Sequence, residues 1–322
     1  MRDSGIDPGA AAAVESLLTV LAPLDSGGNQ SYQSIECMEE VARMPHRVAD
    51  RDLTRTRVVE AGGIPTTVLT AGSGRPIVLL HGSGPGVSAQ ANWSRLIPEL
   101  ARDFQVIAPD IAGFGASIGP ANTTYGVKLW VRQLVELLDA LEVASATLLG
   151  NSFGGGLSLA ATLKHPQRVD GLVLLGTPVG TFEMTEGLRS GWHYEPDEAE
   201  MRRILRIFAH DPALVTDDMV RERYEASACA GAQDAYRRLI PEPGPEGTPV
   251  KGVPEASLRT ITQPTLVLHG REDRVIPVEL AWRAAHHIPN ADLKVFSRCG
   301  HWVQLERRDE FLCEVRDFLG RL

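Results

Sequence analysis

The sequence predicts an α/β protein: a mostly parallel, doubly wound sheet with a helical lid inserted late in its order. Three observations carry this. Short apolar runs recur as PIVLLHG (76–82), FQVIAPD (104–110), ATLLG (146–150), GLVLLGTP (171–178), PTLVLHG (264–270) and LKVFSRCG (293–300). They read as apolar on both faces, as parallel strands covered by helices are. Helical stretches lie between them, such as VKLWVRQLVELLDALE (127–142), where apolar residues return at intervals of three and four. One interval, 179–256, breaks the alternation. Strand and helix in turn mean helices on both faces of one sheet.

In chain order, residues 1–52 offer two weak helical patterns, 10–23 and 34–44, joined by a polar stretch from Asp25 to Gln30. They are expected to form an N-terminal extension, partly disordered or helical. TRVVEAGG and PTTVLTAG then read as a β-hairpin, and the core is expected to occupy 53–178 and 257–322. The interval 179–256 contains no good strand. Its EAEMRRILRIFAHD and DDMVRERYEASACA segments are helical, and PEPGPEGTPVKGVPEAS is a Pro/Gly-rich return linker. Such an insertion closes over the carboxyl ends of the strands, where open α/β sheets hold their sites.

Composition bounds the function. The 322 residues are 43% hydrophobic, enough for a large core. A net charge of -9 argues against nucleic acid or an anionic membrane as partner, and requires a local cation for any anionic substrate. Cys37, Cys229, Cys299 and Cys313 are far apart and lack metal-ligand spacing, so they read as reduced thiols of a cytoplasmic protein. No run approaches the roughly 18 apolar residues of a membrane span. AAAAVESLLTVLAPL, near the start, is interrupted by Glu15 and follows Asp3 and Asp7, unlike a secretory signal. Nothing in the pattern calls for a metal or a cofactor.

The chemistry centres on Gly150-Asn151-Ser152-Phe153-Gly154, a G-x-S-x-G motif between a strand and a helix. That context makes it a nucleophile elbow, a tight turn that lifts the serine hydroxyl above the sheet. Asp273 follows the PTLVLHG strand and His301 follows LKVFSRCG, so Ser, Asp and His come in the order of α/β-hydrolase triads. His301 then acts as the base, and Asp273 sets its tautomer. His46, His165, His193, His210, His286 and His287 lack a glycine-preceded loop at a strand end, and His81 and His269 are read as serving the loop backbone. Asp110 is given a structural role, and Glu272 points the other way from its neighbour. In His81-Gly82-Ser83-Gly84-Pro85-Gly86, glycines let backbone N–H groups approach a carbonyl oxygen; with the N–H of Phe153 they would form an oxyanion hole. No G-K-[ST] follows, which excludes a phosphate loop.

Together HGSGPG, GNSFGGG, HGREDRVIP and RCGHW resemble the meta-cleavage product hydrolases, carbon–carbon bond hydrolases with the α/β-hydrolase fold. The similarity runs from about 55 to 320, strongest to the branch acting on ring-fission products of alkylbenzenes; residues 1–52 depart from it. The resemblance implies the triad Ser152, Asp273 and His301 and an oxyanion hole from the N–H groups of Ser83 and Phe153. It implies that Gly82, Gly84, Asn92, Asn151, Arg223 and Trp302 bind substrate, with Arg223 of RERYEAS pairing with its carboxylate and dienolate oxygen. The implied substrate is a small anionic 2-hydroxy-6-oxo-hexa-2,4-dienoate, and the implied assembly a homo-oligomer. Without the family, Arg223 reads as a solvated helix arginine. Two rivals remain at this level. A carboxylesterase or lactonase would need neither Arg223 nor the asparagines. A non-catalytic receptor would not need an intact triad. The C6 substituent depends on the lid lining, for which Trp192, Phe208 and Val275 are candidates.

Overall fold

The computed structural model describes residues 54–240 and 248–322. The expected N-terminal extension, with Cys37 and His46, and the PEPGPEG start of the return linker lie outside the described residues.

Strands β1 (Arg55–Ala61) and β2 (Ile64–Ala71) form the expected antiparallel hairpin. Next come β3 (Pro76–Leu80), α1 (Ala89–Trp93), α2 (Ile97–Leu100) and β4 (Gln105–Pro109). Then follow α3 (Val127–Ala140), β5 (Ala146–Asn151), α4 (Phe153–Lys164) and β6 (Val169–Leu175). After β6 the chain leaves the sheet through β7 (Thr181–Glu183), α5 (Glu186–Trp192), α6 (Glu198–Phe208), α7 (Asp217–Ala228) and α8 (Ala232–Leu239). It returns through β8 (Pro249–Lys251) and α9 (Glu255–Leu258). The sheet ends with β9 (Thr265–Gly270), α10 (Glu279–His287), β10 (Ala291–Phe296), α11 (Val303–Glu306) and α12 (Arg308–Gly320).

The sheet order is β1-β2-β4-β3-β5-β6-β9-β10. From β3 to β10 every pairing is parallel, and β2 runs antiparallel to both neighbours. One face carries α3 and α4, through Trp130, Leu134, Leu137 and Leu159. The other carries α1, α2 and α12, through Trp93, Leu100, Phe311 and Phe318. The chain steps from β3 outward to β4, then back across β3 to β5. Connections leaving β3 and β5 therefore diverge, opening a crevice at their carboxyl ends.

Two expectations are corrected. The interval 179–256 does contain strand: β7 and β8 pair as a two-stranded antiparallel ribbon at the neck of the insertion. Three residues are too few to show a period, and the pairing partners lie far apart in sequence. Strand β10 is not apolar on both faces; Asp292, Lys294 and Val295 are exposed, because it is the last strand of the sheet. In the insertion, local signals and packing agree. Asp197 caps α6 by accepting the Glu200 N–H, and Thr216 caps α7 by accepting the Met219 N–H. Met201, Ile204, Leu205 and Phe208 form the buried stripe of α6.

Candidate active site

Ser152 joins β5 to α4 with φ 54° and ψ -115°, a left-handed backbone that side chains rarely adopt. Its N–H donates to the Leu175 carbonyl on β6 at 2.7 Å, so the sheet holds the turn in place. Gly154 has no room for a side chain: a Cβ there would collide with the carbonyl of Leu80 on β3. This close approach is why the second glycine of the motif is required.

Asp273 follows β9 and His301 follows β10, and the two meet side by side. The His301 Nδ1–H donates to Asp273 Oδ2 at 2.7 Å. Asp273 Oδ1 accepts the N–H groups of Val275 and Ile276 at 2.7 and 2.9 Å. Burial alone would raise the Asp273 pKa; the facing His301 and His269, by charge and hydrogen bond, hold it well below the usual carboxylate range. Sequence reasoning gave His269 a backbone role, and its Nε2–H does donate to the Ile276 carbonyl at 2.9 Å. It missed that the same nitrogen lies 3.2 Å from Asp273 Oδ2, although the i,i+4 spacing was visible. The His301 N–H is tied to the Phe208 carbonyl at the end of α6, and the Phe208 ring meets the imidazole edge-on. Glu306 accepts from Gly300, His210 and Asp211, joining the histidine loop to the inserted segment. Glu272 points away, accepting the Cys299 N–H and pairing with Arg271.

Ser152 and His301 line one cavity between the sheet and the insertion, with Gly82, Ser83, Gly84, Asn92, Asn151, Arg223 and Trp302. All the sequence-predicted site residues except Phe153 and Asp273, which sit just behind it, are on its wall. Trp192, Phe208 and Val275 line it too, as expected, with Leu188 and Tyr236, which sequence reasoning missed. Both sit on amphipathic helices, where core packing explains an apolar side chain equally well.

The cavity's electrostatics are unusual. The side-chain amides of Asn92 and Asn151 are buried, and neither Nδ2 has a hydrogen-bond partner. Arg223 is 6% exposed rather than solvated. Among the described residues no carboxylate forms an ion pair with it, and its guanidinium carbon lies 5.8 Å from the centre of the Trp302 ring. Burial lowers its pKa to about 10, with Glu222 opposing the shift, so it stays cationic at neutral pH. A buried cation and two amide groups without protein partners thus face one cavity, an arrangement suited to an anion.

Asp110 has the structural setting expected of it. Its carboxylate accepts the N–H of Ala89, which opens α1, and that of Ala116. Burial pushes its pKa up to about 6 against those hydrogen bonds. Helix α1 carries Asn92, so Asp110 supports the site from behind.

An elbow serine, a histidine–carboxylate pair and a glycine-rich loop at the switch point of this sheet define an α/β hydrolase. The chain belongs to that family: the family model for the alpha/beta hydrolase fold matches residues 75–308. Within it the chain belongs to the meta-cleavage product hydrolases, serine-dependent enzymes that hydrolyse carbon–carbon bonds. It is 47% identical to a 2-hydroxy-6-oxo-2,4-heptadienoate hydrolase of Pseudomonas putida, over 82% of this chain and 96% of that one. It is 46% identical to a 2-hydroxymuconate semialdehyde hydrolase of Pseudomonas sp. strain CF600, over 82% and 93%. Among solved structures it resembles a meta-cleavage product hydrolase of Pseudomonas fluorescens IP01, complexed with acetates. That likeness has a TM-score of 0.78 and 41% identity, and covers 84% of this chain and 98% of that one.

Proposed function

We propose that this enzyme hydrolyses 2-hydroxy-6-oxo-hexa-2,4-dienoates bearing a small group, hydrogen or methyl, at C6. The products are 2-hydroxypenta-2,4-dienoate and a carboxylic acid. One observation carries the reading: buried Arg223 and the unpartnered amides of Asn92 and Asn151 share a cavity with Ser152 and His301. An ester has no anionic end to satisfy them, whereas a dienoate carries a carboxylate and a neighbouring enolic oxygen. The heptadienoate and semialdehyde named for the two relatives support the small C6 group. So do Trp192 and Phe208, which narrow the apolar side of the cavity.

The roles follow from the chemistry. Carbon is a poor leaving group until the dienol becomes a keto tautomer, so a proton must first reach C5. Arg223 stabilises the carboxylate and the developing enolate by charge-assisted hydrogen bonds. Ser152, its proton taken by His301, then acts at the C6 carbonyl, and the N–H groups of Ser83 and Phe153 receive the oxyanion. The C5–C6 bond breaks, its electron pair passing into the dienolate, and water supplies the hydroxyl that ends on C6. Gly82 and Gly84 let the loop backbone approach, and Trp302 lines the pocket below Arg223. Residues 179–256 act as a lid over the core of 53–178 and 257–322.

The family resemblance supports a homo-oligomer, which light scattering would read directly. Among the described residues no helix is long and apolar enough to cross a membrane. The scattered, unpaired spacing of the cysteines supports a cytoplasmic location, which cell fractionation would test.

Arg223→Gln separates this reading from an esterase. We expect kcat/KM for a C6-methyl dienoate to fall about 10²-fold and that for a neutral p-nitrophenyl ester to stay within about threefold. Equal losses on both substrates would remove the anion role.

A further inference from the structure

The loop that carries the Ser83 N–H is held from two sides, and one of the two anchors belongs to the lid. The first anchor is His81. Its Nδ1 lies 2.7 Å from the Gly82 carbonyl, and its Nε2 accepts the Ile111 N–H at 2.9 Å. A carbonyl can only accept, so these two bonds select the Nδ1–H tautomer. Burial lowers the His81 pKa to about 4, which keeps the ring neutral and that tautomer in place at working pH. The Gly82 carbonyl and the Ser83 N–H belong to one trans peptide and point in opposite directions. Fixing the carbonyl on the buried imidazole therefore turns the N–H away from it. Ser83 lines the cavity, and among the described residues its N–H donates to no other group.

The second anchor grips the next peptide. The Tyr236 hydroxyl on α8 lies 2.9 Å from the carbonyl of Gly191 on α5 and 3.3 Å from the carbonyl of Ser83. Tyr236 has one proton for two acceptors, one on the lid and one on the core loop. A further lid contact lies three residues on. Gly86 has φ 62°, and a Cβ there would collide with the carbonyl of Arg223 on α7. The loop is thus pressed against two lid helices and pinned at both peptides that flank Ser83.

The geometry points to Tyr236 as a positioning residue: His81 orients the Ser83 N–H, and the Tyr236 hydroxyl, by tying the Ser83 carbonyl to the lid, holds the loop where that N–H reaches the oxyanion. The inference rests on the oxyanion hole proposed above. It makes the hole depend on a contact from the lid as well as on the core loop.

The test is Tyr236→Phe, which removes one oxygen. The probe is an alkyl boronic acid, whose tetrahedral adduct on a serine places an oxygen in the hole. The variant should lower kcat about tenfold with KM within about twofold, less than the 10²–10³ that loss of a whole donor produces. It should weaken the boronic acid by the same factor, while affinity for the product 2-hydroxypenta-2,4-dienoate holds. The ratio of the two affinities is read on folded protein alone, so it does not depend on the variant's stability. An unchanged ratio, or a rise in KM with kcat intact, would make Tyr236 a packing residue of the lid and overturn the proposal. Failure of the underlying reading looks different: wild-type enzyme would form no boronate adduct, or Ser152→Ala would keep its activity.

Discussion

Two buried groups behind the site titrate in opposite senses, and the sign of each gives a prediction at the scale of single residues. The folded pKa of His81 is lowered from 6.5 to about 4. Its contribution to stability is complete above 6.5 and is lost as pH falls toward 4, because the unfolded chain binds the proton that the fold refuses. The folded pKa of Asp110 is raised from 3.8 to about 6. Here the fold holds the proton more tightly, so stability falls as pH rises across the window from about 4 to 6. The two slopes oppose each other through most of that window and largely offset. Asp110→Asn removes one of them. The variant's melting temperature should rise more steeply with pH between about 4 and 6 than the wild type's. Parallel curves would show that Asp110 is ionised throughout. Asp273 acts at lower pH: its depressed pKa contributes stability above the ordinary carboxylate value, and this is lost as pH falls below it.

Among the elements, the contact between the glycine loop and α7 decides where Arg223 stands. Gly86 meets the Arg223 carbonyl without room for a methyl group, and its positive φ is itself unfavourable for alanine. Gly86→Ala should push α7 away and misplace the guanidinium. A displacement of about 1 Å costs on the order of 10²-fold in rate where orientation matters, so kcat/KM for the dienoate should fall by about that factor. Hydrolysis of a neutral ester, which does not use Arg223, should change far less. Equal losses would mean that the elbow, not the lid, was disturbed.

The same elements explain what the sequence could reveal. The elbow, the two catalytic loops and the glycine loop each follow a strand of five or six residues that carries a short apolar run, so local pattern placed them. The Arg223 side chain reads as solvated by spacing alone, since Arg221 and Glu222 beside it are exposed; only packing of α7 against the core loop buries it. Tyr236 carries no signal, because an amphipathic helix needs an apolar residue there in any case. The neck strands β7 and β8 exist only through their mutual pairing, and β10 is exposed because nothing lies beyond it. These are consequences of tertiary partners, which no window of sequence contains.

For the whole molecule, the core carries Ser152, His301 and the two asparagine amides, and the insertion adds the buried Arg223 to the same cavity. Insertion and core meet at Arg223, Tyr236, Phe208 and Glu306, and each contact touches a residue of the glycine loop or the histidine loop. Carbon–carbon cleavage is what distinguishes this enzyme from an esterase on the same scaffold. It is tested most directly by following the visible dienolate absorbance as purified enzyme meets 2-hydroxy-6-oxo-hexa-2,4-dienoates with hydrogen, methyl, isopropyl or phenyl at C6. We predict rapid bleaching with hydrogen or methyl, one equivalent of 2-hydroxypenta-2,4-dienoate formed, and slower bleaching as the group grows. Absorbance that persists with every member of the panel, while simple esters are hydrolysed, would contradict it.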